Sequence, residues 1–260
     1  MVFCHGGGGY SRIFIPLVRE LLQNNITVIL PNYKGQGFSE GDRSDLNPQD
    51  FVQNTIDTID WCFKKYGENI SMFVSGCSQG SSIAYMAGSA DKRVKALILH
   101  NFYDYANKSD ILSFTHFAFL GKTKLTTNIS AWFSKIVSTL LPNLKIPYQI
   151  LARFKNMVDE KEFHELWKHD PVAIQNINLA YFAHSINTEP KIKIEDNQIP
   201  TLVINPTKDK MVNPSITKKN YDRLTCKKQY IEIPYGHWST NPLFYKLWSK
   251  ITSDWIDETN

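Results

Sequence analysis

Short apolar runs alternate with amphipathic stretches along most of the 260 residues. The runs at residues 1–4, 26–31, 70–75, 94–100, 200–205 and 228–233 have the length and the bounded character of buried strands. Between the second and third, Val52, Ile56, Ile59 and Phe63 fall on one helical face, with Asn47 placed to cap that helix and Pro48 at its first position. After Asn241-Pro242 the pattern recurs in Phe244, Leu247, Trp248, Ile251 and Trp255. Strands separated by crossover helices predict an α/β protein with a mostly parallel, doubly wound sheet of about six strands. No internal repeat or low-complexity tract interrupts it.

One segment breaks the alternation. About a hundred residues rich in aromatics lie between Asn101 and Thr201, too many for a structureless loop in a compact domain. They predict a helical cap over residues 102–198, inserted between a first core part at 1–101 and a second at 199–260. Apolar residues are dense in this insertion: Phe114, Phe117, Phe119, Trp132, Phe133, Ile136, Val137, Leu140 and Leu141, then Tyr148, Ile150, Leu151 and Phe154. The bland expectation is that they form the insertion's own core. The charge is lopsided, with Lys108, Lys122, Lys124, Lys135, Lys145, Arg153 and Lys155 against Asp110 alone over residues 105–158. A solvated face explains this, and so does peripheral contact with an anionic interface or an acidic headgroup.

Composition narrows the class. The chain is 42% hydrophobic and 21% charged, in the range of a soluble globular protein, and its net charge of +4 is too small to argue for nucleic acid. No apolar stretch approaches the roughly 20 residues of a membrane-spanning helix, and the first residues lack a basic start and an apolar signal core, so a cytoplasmic location is expected. Cys4, Cys62, Cys77 and Cys226 show neither CxxC nor Cys/His spacing and read as reduced, buried thiols, with no disulfide framework, metal or cofactor implied.

The sequence GCSQG, Gly76 to Gly80, stands between the third apolar run and a series of small residues suited to begin a helix. A serine at such a strand-to-helix reversal projects its hydroxyl, and Gly76 and Gly80 keep Cβ atoms out of the space where strand and helix nearly touch. The bare motif is weak evidence. Its force comes from Asp209 and His237, each following a predicted strand, in the order Ser, Asp, His. Both fall at carboxyl ends of strands, where ligands bind in open α/β sheets. A serine hydroxyl must lose its proton as it attacks a carbonyl; His237 is suited to take it, and Asp209 to orient the ring and stabilise its charged form. Asp104 and Asp170 are spare candidates for the acid.

HGGGG, His5 to Gly9, follows the first strand directly. Bare N–H groups there, chiefly that of Gly7, together with that of Gln79 are placed to stabilise a developing oxyanion, with Gly8 as a further donor. The rival reading is a pyrophosphate cradle. That reading wants an acidic residue at the end of the second strand, where Pro31-Asn32-Tyr33 stands instead.

These residues resemble the α/β-hydrolase superfamily, and within it the branch of monoacylglycerol lipases, lysophospholipases and related serine hydrolases. HGGGG, the run ITVILPNYKGQGFSEGDR with its Gly35-Gln36-Gly37-Phe38-Ser39 turn, GCSQG, TKDKMV and YGHW carry the likeness. The resemblance implies Ser78, Asp209 and His237 as a triad, Gly7 and Gln79 as oxyanion donors, and no metal. Members usually begin with two more strands than are found before His5, which implies a shortened sheet or residues missing from the start. Cys77 precedes the nucleophile and reads as a packed thiol.

The expected activity is hydrolysis of carboxylic esters bearing an acyl chain, such as monoacylglycerol- or lysophospholipid-like lipids. An aminopeptidase or amidase, using the acidic run Asp159 to Glu165 to hold a substrate amine, is an alternative; the blander reading of that run is a helix's polar face. Thioester hydrolysis and acyl transfer use the same apparatus, and a non-catalytic ligand-binding protein would retain only the fold. His100, His116, His164, His169 and His184 read as structural or surface residues.

Overall fold

The computed structural model describes residues 1–260, with the side chain of Leu151 excepted. In chain order the first core part comprises β1 (Val2–Cys4), α1 (Ile15–Leu22), α2 (Pro48–Tyr66), β2 (Met72–Cys77), α3 (Gln79–Gly88) and β3 (Val94–His100). The intervening residues form α4 (Lys108–Ser113), α5 (Lys124–Leu140), β4 (Lys145–Pro147), α6 (Tyr148–Leu151), α7 (Lys161–His169), β5 (Asn176–Asn178) and α8 (Ala180–Ile186). The second core part is β6 (Thr201–Pro206), α9 (Pro214–Arg223), β7 (Lys228–Ile233) and α10 (Pro242–Thr259).

Five strands form one parallel sheet in the order β1-β2-β3-β6-β7. The predicted strand at 26–31 is the exception. It lies beside β1 but touches it through a single bridge, Val2 to Ile29, in which Ile29 accepts from Phe3 N–H at 3.0 Å and donates to Met1 O at 2.9 Å. Pro31 has no N–H to extend the ladder, so the sixth strand is reduced to one paired residue.

Alternation along the strands fills both faces. Val2, Cys4, Val74, Leu97, Leu99 and Val203 point towards α2, α3 and the 102–198 segment. Phe3, Phe73, Ala96, Ile98, Leu202 and Ile204 pack against Leu17 and Leu21 of α1 and Phe244, Trp248 and Trp255 of α10. The expected caps form: Asn47 Oδ1 accepts Gln49 N–H at 3.0 Å, and Asn241 Oδ1 accepts Leu243 N–H at 2.9 Å.

Within residues 102–198, β4 and β5 make a two-stranded antiparallel ribbon among the helices, which the helical expectation did not include. Tyr148 and Phe154 are buried, as the bland reading of the aromatics expects. Trp132, Phe133 and Leu140 on α5 are 64%, 60% and 73% exposed, so that reading fails for them. Leu151 falls outside the described side chains. No helix among the described residues is long and apolar enough to cross a membrane.

Candidate active site

β2 delivers Ser78 to the carboxyl edge of the sheet and α3 departs at once, which forces Ser78 to φ 53°, ψ −125°. A left-handed φ costs a non-glycine residue about 1 kcal/mol or more, and it is held here by the neighbouring chain. Ser78 N–H donates to His100 O at 2.9 Å, and Ser81 returns its N–H and hydroxyl to Ser78 O at 3.0 and 2.7 Å. The turn is tight because two glycines have no side chain. A Cβ on Gly76 would stand 2.2 Å from Gly80 O, and one on Gly80 would stand 2.1 Å from Cys4 O.

The glycine-rich loop after β1 faces this turn: a Cβ on Gly6 would lie 3.5 Å from Ser78 Cβ, and one on Gly7 would lie 3.1 Å from Gln79 Oε1. Gly8 adopts φ 75°. Gln79 is the first residue of α3, so its N–H has no intrahelical acceptor, and among the described residues neither it nor Gly7 N–H has a hydrogen-bond acceptor in the chain.

Asp209 lies in the turn after β6 and His237 in the turn after β7, both buried. His237 Nδ1 lies 2.8 Å from Asp209 Oδ2, an arrangement that puts the proton on Nδ1 and leaves Nε2 as the acceptor. Asp209 Oδ1 accepts the N–H groups of Met211 at 2.7 Å and Val212 at 3.0 Å, which fixes the carboxylate. His237 Nε2 is buried, has no hydrogen-bond partner among the described residues, and lines with Ser78 a cavity of about 50 Å³. Ser78 and His237 thus share one chamber without a direct hydrogen bond between them. Gly6 to Gly9, Ile13, Phe14, Cys77 and Trp238 complete its wall, and Phe154, Met157, Val158, Phe163 and Trp167 form its roof.

Two residues make supporting contacts that the sequence did not reveal, His100 among them in the structural place expected of it. Asn101, just beyond β3 at φ 57°, donates its amide Nδ2–H to Asp209 Oδ2 at 2.7 Å and to His237 O at 3.0 Å. His100 donates from Nε2 to the same carbonyl at 3.1 Å. Burial depresses His100 to a pKa of about 3, so it stays neutral. The signal for Asn101 was its place at a strand's carboxyl end, as one of the few residue types that tolerate a left-handed turn. A third unforeseen feature is the Gln79 side chain, whose Nε2 donates to Tyr105 Oη at 2.9 Å and Tyr181 Oη at 2.6 Å, tying the elbow to the 102–198 segment.

The spare acids are otherwise engaged. Asp104 pairs with Arg223 at 2.7 Å, and Asp170 accepts from the Tyr10 hydroxyl at 2.7 Å. Burial pushes the Cys77 thiol up, leaving it protonated at neutral pH. Among the described residues no three His, Cys, Asp or Glu side chains converge as a metal set. His116, His169 and His184 are exposed and His164 is buried, all away from this chamber's serine.

Comparison with known proteins gives a family and a fold. Against curated sequences, the chain is 27% identical over 100 residues to an uncharacterized 31.7 kDa Escherichia coli protein from the traX-finO intergenic region; the match spans 38% of this chain and 35% of that relative's length. A monoacylglycerol lipase from Paleococcus ferrophilus superposes with a TM-score of 0.74 at 16% identity, covering 100% of this chain and 94% of the other. A soluble variant of the Saccharomyces cerevisiae monoglyceride lipase, in complex with a substrate analog, gives 0.70 at 13% identity, covering 100% and 87%. Both share the α/β-hydrolase fold. The family model described as serine aminopeptidase, S33, matches residues 1–238, and the chain belongs to that family of α/β hydrolases.

Proposed function

We propose that the protein is a metal-independent serine hydrolase of carboxylic esters, acting on acyl esters of the monoacylglycerol or lysophospholipid kind through a Ser78-His237-Asp209 triad. The observation that carries this reading is the shared chamber: an unpartnered His237 Nε2, backed by Asp209 at 2.8 Å, opens on the same cavity as Ser78. In the proposed sequence Ser78 Oγ attacks the ester carbonyl while Nε2 takes its proton. The N–H groups of Gly7 and Gln79 hold the oxyanion, an interaction worth about 3 kcal/mol per donor in such sites. Collapse expels the alcohol, which takes the proton from His237, and leaves an acyl-Ser78. Water, deprotonated by His237, then attacks the acyl carbonyl; His237 returns the proton to Ser78 as the acid leaves.

An acyl chain suits the chamber's wall, because its roof is formed by Phe154, Met157, Val158, Phe163 and Trp167. At about 50 Å³ it is far below the several hundred Å³ of an ordinary ligand pocket, so a long chain requires the roof to shift. Residues 102–198 are proposed as that movable cap. The exposed Leu125, Ile129, Trp132, Phe133 and Leu140 of α5, beside Lys122, Lys124 and Lys135, support contact with a lipid interface. Four free thiols support a reducing, cytoplasmic setting. Against the amidase alternative, Asp159 and Glu160 of the acidic run already accept hydrogen bonds from the loop carrying His237.

The test is a series of p-nitrophenyl esters from acetate to decanoate alongside aminoacyl p-nitroanilides. Rising kcat/KM up to a medium chain, with no anilide turnover, is expected. Faster release from the anilides than from any ester would refute the ester reading.

A further inference from the structure

The segment that roofs the cavity also grips the loop that carries the histidine. Asp159 Oδ2 accepts Gly236 N–H at 2.9 Å, and Asp159 N–H donates to Trp238 O at 2.9 Å. Glu160 Oε1 accepts the Ser239 hydroxyl at 2.6 Å, and its Oε2 accepts Thr240 N–H at 2.7 Å. Four bonds from two consecutive residues thus bracket His237 on both sides. Contact at Gly236 is so close that a Cβ there would stand 1.8 Å from Asp159 Oδ1. Besides the His237 Nδ1–Asp209 bond, the core holds the same stretch through Lys208 N–H to Tyr235 O at 2.9 Å and the His100 and Asn101 donors to His237 O.

The residues on either side explain why this grip is firm. Val158 is buried in the sheet-side cluster with Phe3, Phe14, Trp238 and Phe244, and Met157 and Phe163 pack against it. Phe154 and Trp167, their ring centroids 4.1 Å apart, belong to the cluster on the other face. Residues 154–167 therefore span both cores and supply five of the side chains over Ser78. Burial raises the Glu160 carboxyl, and the bonds from Ser239 and Thr240 override it, leaving its pKa below the ordinary value. It is charged at neutral pH, and a charged acceptor strengthens both bonds.

We infer that Asp159 and Glu160 are positioning residues for His237, a strut through which the cavity roof and the histidine loop move as one body. The inference rests on the triad reading, since it gives His237 a geometry to keep. Its consequence is that any displacement of residues 157–160 that opens the chamber also withdraws the imidazole from Ser78. Chemistry then requires residues 157–160 to stay docked on the histidine loop, and the room for a long acyl chain comes from shifts of Phe154, Phe163 and Trp167 elsewhere in the roof. The acidic run, on this view, serves neither a substrate amine nor mere solvation at its first two positions.

The test compares Asp159→Ala, Glu160→Ala, the double variant and Glu160→Gln with wild type, with Thr127→Ala in α5 as a destabilised control remote from the loop. Steady-state kinetics on a p-nitrophenyl ester, fluorophosphonate labelling of Ser78 and amide hydrogen exchange at Gly236 and Thr240 are read together. A misplacement of about 1 Å costs up to a hundredfold in rate, so kcat and the labelling rate should fall about ten- to a hundredfold with KM within twofold. Glu160→Gln keeps one oxygen acceptor and should recover part of the loss. Exchange at Gly236 and Thr240 should quicken at least tenfold in the Ala variants and not in Thr127→Ala. Wild-type kcat and protection in the double variant, with labelling slowed at least a hundredfold in His237→Ala, would overturn the strut and leave the triad standing. No labelling of wild type would overturn both. If the double variant does not fold, the single variants carry the same comparison.

Discussion

Gly80→Ala is the sharpest structural perturbation of the elbow. The added Cβ would lie 2.1 Å from Cys4 O and 2.5 Å from His5 O, about 1.3 Å short of the 3.4 Å at which ordinary contact begins. Both obstacles are backbone, so no rotamer change relieves them. β1 and the glycine-rich loop must retreat from α3, although Val2, Phe3 and Cys4 are held in register with Val74, Ser75 and Gly76. Overpacking of this kind costs about 1–3 kcal/mol, and a backbone collision belongs at the upper end, about 3 kcal/mol. For a chain of this size that is a fall of roughly 6–12 °C in Tm. The retreat also separates Gly7 from Gln79 by about 1 Å, which predicts a loss of up to about a hundredfold in Ser78 labelling by a fluorophosphonate. Gly67→Ala is the control: nothing lies within 4 Å of its Cβ, but φ is 91°, so strain alone operates. It should cost about 1 kcal/mol and leave labelling unchanged. Thermal melts and labelling rates decide. A Gly80→Ala protein that melts within a degree of wild type and labels at the wild-type rate would refute the close approach of β1 and α3.

Asn101→Gly keeps the left-handed turn but removes the amide that joins Asp209 to the His237 carbonyl; kcat should drop about tenfold with KM unchanged, measured on a p-nitrophenyl ester. Cys77→Ala should retain labelling within about threefold, and the wild-type Cys77 thiol should resist iodoacetamide at pH 8, because burial keeps it protonated. Burial lowers His5 to about 4 and His100 to about 3, against 6.5 for an exposed imidazole. The unfolded chain therefore takes up protons that the folded one refuses: stability is full above pH 6.5 and falls as pH drops towards 4, by about 1.4 kcal/mol per unit for each ring. Urea midpoints at pH 7.5 and 5.5 should differ by roughly 3 kcal/mol in stability, and His100→Gln should remove about half of that difference.

The parts of this molecule that follow local rules were legible in its sequence. Short apolar runs located five strands and a period of 3.6 the helices beginning at Pro48 and Pro242, and the Asn-Pro caps formed as their chemistry requires. The apolar run at 26–31 forms no full strand, because such a run reports burial rather than pairing and Pro31 limits the pairing to Ile29. That Ser78, Asp209 and His237 come together at one edge was legible because each follows a strand, and strand ends of a parallel sheet meet there. What joins them was not. Asn101, His100, Asp159 and Glu160 act through contacts with residues 77 to 137 positions away, and no periodicity encodes such meetings. Nor did composition separate the buried aromatics of residues 102–198 from the exposed ones, since Phe133 and Phe154 look alike until folding assigns each a side.

The central claim is that the Ser78 hydroxyl, activated by His237 and Asp209, is the group that attacks. Intact-mass and peptide mass spectrometry after incubation with a fluorophosphonate tests it most directly. The account predicts one adduct per chain, carried on the peptide containing Ser78, absent in Ser78→Ala and slowed at least a hundredfold in His237→Ala. An adduct of the same stoichiometry on Ser78→Ala, or labelling indifferent to His237, would contradict it.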